Sequence, residues 1–228
     1  MRYPPEARNP KQQHDKFRLA LGLCVLITTL LFISIATNLS VDSWLSLMDV
    51  EVSNWLHARA IPALTAVLLV VTEIHRPLGI IIMALLCALL LLWRRRWYSL
   101  LILLLAVPGG LLINLLLKDI YQRARPVFDD PLAIVHSYSF PSGHAVGSTV
   151  FYGVIAVFIF QTAGNRPWRF GGFLFAGLMI ILVAFTRVYL GVHYLSDVVA
   201  GILEGLAWLA LCLIFVNTIW RYRHPYSN

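Results

Sequence analysis

Residues 19–39 read "LALGLCVLITTLLFISIATNL", an apolar run without a single charged side chain. Wound as a helix at about 1.5 Å per residue, it covers roughly 30 Å, the hydrocarbon thickness of a bilayer. Residues 201–219, "GILEGLAWLALCLIFVNTI", repeat the pattern with one acid, Glu204. Across all 228 residues the hydrophobic share is 59% and the charged share 13%, which excludes an ordinary soluble domain. The fold class expected is all-α, a polytopic membrane helical bundle. The first run exceeds a signal-peptide core and leads into Asn38-Leu39-Ser40-Val41-Asp42 with no small-residue cleavage site, so it is expected to stay as the first anchor.

Outward from these two runs, six transmembrane spans are expected, at Phe17 to Leu39, Leu78 to Trp93, Leu100 to Leu117, Ala145 to Phe160, Phe170 to Phe185 and Leu195 to Ile219. They form one domain over residues 17–220, with tails at 1–16 and 221–228. Residues 40–76 contain an apolar stretch, Ile61 to Val71, too short to cross, and are expected to form an interfacial or re-entrant helix between the first two spans, ending at Arg76-Pro77. Cys24, Cys87 and Cys212 all lie inside apolar runs without a CxxC pair and read as small packing residues.

The basic residues sort by loop. Arg2, Arg8, Lys11, Lys16, Arg18, Arg94, Arg95, Arg96, Arg166, Arg169, Arg221 and Arg223 fall on one side of six spans, against Arg59, Arg76, Lys118, Arg123, Arg125 and Arg187 on the other. The richer side, holding both termini, is expected to be cytoplasmic. The net charge of +7 therefore reports orientation and anionic lipid, and no nucleic-acid partner is implied.

The basic residues left on the outer side are concentrated in "KDIYQRARP" (118–126) and "TRVYLGVHYLSD" (186–197), while "PSGH" (141–144) opens the fourth span on the same face. Lys118, Arg125 and Arg187 together repel a metal ion and suit a phosphate. Ser142 and Gly143 sit where backbone N–H groups and a helix N-terminus can meet that anion. His193 and Asp197 are four apart, so on a helix the carboxylate can hold one ring nitrogen and leave the other free to attack phosphorus. His144 is then suited to protonate the departing oxygen.

In order and in content, "KDIYQRARP", "PSGH" and "RVYLGVHYLSD" resemble the three signature motifs of the type 2 phosphatidic acid phosphatase (PAP2) family, which is itself similar to vanadium-dependent haloperoxidases at the active site. The resemblance implies His193 as a transiently phosphorylated nucleophile, His144 as acid, Asp197 as partner of the nucleophile, and Lys118, Arg125, Ser142, Gly143 and Arg187 as phosphate ligands, with no metal and no cofactor. Thr186 stands where the family usually has serine. The function implied is hydrolysis of a membrane lipid phosphate, such as undecaprenyl diphosphate, phosphatidylglycerol phosphate or phosphatidic acid, at the extracytoplasmic face, with no obligate protein partner.

Three other readings use the same residues. A phosphotransferase would pass the phosphoryl group from His193 to a lipid or sugar. A transporter of an anionic lipid or solute would use the cations as a binding site and break a helix near the midplane, for which Gly109-Gly110 after Pro108 is the one hint. A metal site on His144, His193 and Asp197 is opposed by the surrounding positive charge. Elsewhere, Glu204 is expected to be protonated or paired within the bundle, and Asn114 to bond between helices. Glu73, His75 and Arg76 read as a solvated turn, and Tyr138, Tyr189 and Tyr194 as interfacial belt residues or rings stacked near the site. His14, His57, His136 and His224 have no partner identifiable in the sequence.

Overall fold

The computed structural model describes residues 10–223. The outer tail residues 1–9 and 224–228, with Arg2, Arg8 and His224, lie outside the described residues. Eight helices and no strands occur among them: α1 (Pro10–Ala36), α2 (Trp44–His57), α3 (Pro62–Ile74), α4 (Pro77–Trp93), α5 (Trp97–Tyr121), α6 (Gly143–Thr162), α7 (Arg166–Tyr189) and α8 (Leu195–Arg223). Each expected span falls on one helix. In α1, α5, α6, α7 and α8 the helix is long and apolar enough to cross a bilayer. The remaining one, α4, has 17 residues, about 25 Å, at the lower limit for crossing. The protein is a polytopic helical bundle.

The single interfacial helix expected between the first two spans is two helices, α2 and α3, bent by 119°. Pro62 causes the break: it has no N–H, and it pushes Ile61 into extended backbone (φ −110, ψ 122) before α3 starts. Pro77 repeats the device, and the expected break at Arg76-Pro77 is where α4 begins.

Membrane helices gain nothing by hiding apolar side chains from lipid, so close backbone approach decides which helices pack centrally. In α6, over half of the most apolar window is buried (56%), against 6% for α1. Its neighbours are α5, α7 and α8, and α1 lies outermost along α8. Small residues permit this. A Cβ on Gly201 of α8 would stand 2.6 Å from the Ser142 carbonyl oxygen, and one on Gly205 would stand 2.8 Å from Thr149 Cβ. Gly109 does the same for the ring of Trp208, whose indole N–H donates to the Ala106 carbonyl at 3.1 Å. α5 runs through Pro108 to Tyr121, so Pro108-Gly109-Gly110 is a packing notch and the break a transporter would use there is absent.

Because the obstacle at Gly201 is backbone, Gly201→Ala must push α8 away from the turn at Ser142. The expected loss is about 1–3 kcal/mol, read as a lower melting temperature in detergent micelles. Gly177→Ala, where no atom lies within 4 Å of the added Cβ, should melt like the parent.

Candidate active site

Three chain segments meet at one end of the bundle. α5 delivers Lys118 in its last turn and stops at Gln122, whose left-handed backbone (φ 45) turns the chain into the loop that carries Arg123 and Arg125. α6 starts at Gly143, so His144 occupies its first turn, and Val146 is the first residue whose N–H reaches back to Ser142. The N–H groups of Gly143 and His144 are thus left without a helical acceptor, at the positive helix end. α7 brings Arg187, and Gly191 (φ +66) reverses the chain so that His193 points back between the helices. A Cβ there would collide with the Phe128 ring at 2.7 Å.

A cavity of about 850 Å³ has Lys118, Arg125, Gly143, His144, Arg187 and His193 in its wall. The lining also includes apolar residues, Leu69, Val70 and Ile74 of α3 and Leu111 and Leu115 of α5, together with the polar Thr72, Glu73 and Arg76. Two of the expected site residues stand behind this wall. Ser142 is fully buried and gives its N–H to the Asp197 carbonyl at 3.0 Å. That N–H is therefore engaged within the protein, unlike those of Gly143 and His144. Asp197, also fully buried, holds its Oδ2 3.5 Å from His193 Nδ1.

Backbone oxygens fold inward around the cations. Lys118 Nζ donates to the Tyr138 carbonyl at 2.5 Å. Arg125 donates through Nε to the Ser137 carbonyl at 2.6 Å, through Nη2 to the Tyr138 carbonyl at 3.1 Å, and through Nη1 to the Val192 carbonyl. Arg187 Nη1 donates to the Thr72 hydroxyl, while its Nε, in a side chain 3% exposed, has no partner. Arg187 is thus the cation with an unused buried donor.

His193 is 2% exposed, with Nε2 3.1 Å from Arg125 Nη1 and Nδ1 3.4 Å from Ser139 Oγ. Burial, followed by the charges of Arg125, Arg187 and Lys118, holds its imidazole well below the usual histidine range. At neutral pH the ring is uncharged and carries a lone pair. Ser139 Oγ donates to Asp197 Oδ2 at 2.5 Å and the Tyr194 N–H donates to the same oxygen at 2.9 Å, so the carboxylate is fixed from two sides.

Residues 99–221, more than half of the chain, match the family described as "PAP2 superfamily". The chain belongs to the PAP2 superfamily. The matched span contains every residue named in the cavity's polar wall and leaves out α1 to α4. Phosphatidylglycerophosphatase B of Bacillus subtilis (strain 168) is 38% identical over 116 residues, 49% of this chain and 55% of that protein. The chain thus spans about half the length of that curated relative. An undecaprenyl-diphosphatase of Sulfolobus acidocaldarius is 33% identical over 81 residues, 36% of this chain and 34% of that one. The crystal structure of a transmembrane PAP2-type phosphatidylglycerolphosphate phosphatase from Bacillus subtilis superposes with a TM-score of 0.77 at 29% identity, covering 87% of this chain and 98% of the other.

Around the PAP2 motifs the structure adds partners that the sequence did not mark. Thr72 bonds to Arg187, Ser139 and Arg123 bond to Asp197, and Asp49 bonds to Arg123 and Ser196; Arg123 and Ser196 lie within the quoted motif stretches, which by themselves mark no role for them. Asp49 and Thr72 come from α2 and α3, where only a polar stripe opposite an apolar one signals an inward face. His75, expected in a solvated turn, is 4% exposed and sits between the Val71 carbonyl and the Tyr152 hydroxyl, both at 2.7 Å. Glu73 and Arg76 form an exposed pair at 2.5 Å that also lines the cavity. His57 has partners too, Asp130 at 2.9 Å and the stacked Phe128 ring at 3.9 Å. Tyr194 lies against Arg123, 4.4 Å from ring to guanidinium, and Tyr189 accepts from the Ile61 N–H at 2.8 Å.

Deep in the bundle, Asn114 Nδ2 donates to Glu204 Oε2 at 3.1 Å and to the Pro141 carbonyl at 3.3 Å. The expected pairing of Glu204 within the bundle and of Asn114 between helices is one and the same bond. It ties α5, α8 and the turn before α6 together. Asn114→Ala strips both bonds and leaves the Glu204 carboxyl, 6% exposed, without its partner, so a loss of about 1–3 kcal/mol is expected. Thermal unfolding in detergent measures it, and Asn114→Asp, which also cannot donate to Glu204 when ionised, should fare no better.

Proposed function

We propose that the chain is a lipid phosphate phosphatase working through a phosphohistidine, with its cavity facing the extracytoplasmic side and both termini in the cytoplasm. The observation that carries the reading is the juxtaposition, in one cavity wall, of Lys118, Arg125 and Arg187 with a helix N-terminus and two imidazoles. Such a wall suits a tetrahedral dianion, and the apolar side chains that also line the cavity, Leu69, Val70, Ile74, Leu111 and Leu115, suit the first part of a lipid chain.

In this mechanism Arg187, Lys118 and Arg125, with the N–H groups of Gly143 and His144, hold the phosphate oxygens. Ser142 and Pro141 shape the turn that presents them. His193 Nε2 attacks the terminal phosphorus while its bond to the leaving oxygen breaks, the ester oxygen of a monoester or the bridging oxygen of a diphosphate, and the His144 proton passes to that oxygen. Water then attacks the phosphohistidine, His144 takes its proton, and inorganic phosphate leaves with His193 restored. Asp197, behind Nδ1, stabilises the positive charge that develops on the ring. Orientation and charge neutralisation supply much of the rate, and neither step calls for a metal. Candidate substrates are phosphatidic acid, phosphatidylglycerol phosphate and undecaprenyl diphosphate. Outward orientation is supported by the excess of basic residues in the loops at the opposite end.

Phosphate release from these three lipids by the purified chain tests the reading. Turnover should persist in EDTA, fall by at least about a thousandfold in His193→Ala, and be inhibited by vanadate, which mimics five-coordinate phosphorus. His144→Ala should slow alkyl phosphates far more than aryl phosphates, whose leaving groups need no proton. Release by His193→Ala at the parent rate would overturn the nucleophile, and equal losses on both ester classes would overturn the acid. Transfer of label to an added alcohol with little free phosphate would replace hydrolysis by phosphotransfer.

A further inference from the structure

Behind the cavity wall, Arg123 lies between two buried carboxylates. Its Nη1 donates to Asp197 Oδ1 at 2.6 Å and its Nη2 to Asp49 Oδ2 at 2.9 Å, with Asp49 2% and Asp197 0% exposed. Ser196 closes the cluster. Its N–H donates to Asp49 Oδ1 at 2.9 Å, its hydroxyl donates to Asp49 Oδ2, and the same hydroxyl accepts from Arg123 Nη1 at 2.8 Å.

Asp49 belongs to α2, far from the motifs in sequence and outside the residues matched to the family. Its helix face carries Ser46, Asp49 and Ser53, three and four apart, all buried. Neither serine hydroxyl finds a partner, so Asp49 is the member of that stripe that reaches across to another element. Docking of α2 does not itself require a charge, because Val52 and Leu56 on the same helix already pack against Ala145, Ala184, Val188 and Val198. Burying a carboxylate there is unfavourable unless it is fully bonded and does something an apolar side chain cannot.

What the charge does is divide Arg123. With Asp49 present, one edge of the guanidinium faces each carboxylate. Without it, Arg123 would turn wholly to Asp197, drawing that carboxylate away from Ser139 and the Tyr194 N–H and neutralising the charge that faces His193 Nδ1. We propose that Asp49 is a positioning residue of the phosphohistidine centre, acting through Arg123 and Ser196 to fix Asp197 behind His193. This rests on the phosphatase reading above, and it makes α2 part of the catalytic unit.

The test is a double-mutant cycle on the purified full chain, with phosphate release measured on each of the three lipid phosphates that the parent turns over. Asp49→Asn keeps the side-chain shape and an acceptor for the Ser196 N–H. It should lower kcat on the order of tenfold with KM held within about twofold, since the cavity wall is untouched. In an Asp197→Asn background, followed by single-turnover release, the same substitution should add little further loss, because the group it acts on is gone. Ser196→Ala, which removes only the hydroxyl anchor, should fall in the same direction by a smaller factor, and it carries the cycle should Asp49→Asn fail to fold. Parent-like kcat in these variants, an equal loss in both backgrounds, or a rise in KM at constant kcat would overturn the proposal while leaving the phosphatase reading intact. Absence of release by the parent from all three lipids would overturn both.

Discussion

Lys118, Arg125 and Arg187 share the wall of one cavity inside a membrane protein, and much else at that end of the bundle answers to their mutual repulsion. In a low-dielectric setting like charges this close are costly without compensation. The carbonyls of Ser137, Tyr138, Ser139 and Val192 supply it, folding over Lys118 and Arg125 and so setting the course of the loop between α5 and α6. Arg187 is less covered, with a buried Nε still unpartnered. A phosphate entering the cavity would complete the neutralisation, and the helix start at Gly143 adds N–H groups aimed at the same place. In the phosphatase reading, these donors are the groups a phosphate would engage.

The same repulsion bears on His193. Surrounded by positive charge and removed from water, its ring stays neutral, as the proposed attack on phosphorus requires. In the proposed mechanism, the charge that would steady it after attack lies one layer further back, in Asp197, which pairs with Arg123 at 2.6 Å and is oriented by Ser139 and the Tyr194 N–H. Asp49 extends that layer into α2. Charge alternates outward from the cavity: cations, neutral ring, carboxylate, guanidinium, carboxylate. An alternating stack of this kind lets each buried ion be paired without cancelling the field at the phosphate.

Much of this was legible in the sequence, for identifiable reasons. Unbroken apolar length gave the six spans, because in lipid a helix must satisfy its own backbone and little else competes with that signal. Hairpin parity then put Lys118, Arg125, His144, Arg187 and His193 at one end, and the structure brings them into one cavity. The division of residues 40–76 into α2 and α3 was missed because Pro62 was read as part of an apolar stretch and not as a helix start. The partners Asp49, Arg123, Ser139, Ser196 and Thr72 were missed for a different reason. Each bond they make joins residues distant in the chain, and no periodicity announces a carboxylate that faces a guanidinium across two elements. His75 shows the converse error: polar neighbours suggested solvent, yet its ring is enclosed by α3 and Tyr152.

The phosphoryl group itself offers the most direct measurement. The purified chain is mixed with phosphatidic acid, phosphatidylglycerol phosphate or undecaprenyl diphosphate radiolabelled at the terminal phosphorus, quenched in alkali within the first turnover, and digested. The account predicts a label that is stable to base, labile to acid, confined to the peptide containing His193, and formed before free phosphate appears. Turnover of any of these lipids with no protein-bound label at any time, or with label on a different residue, would contradict it.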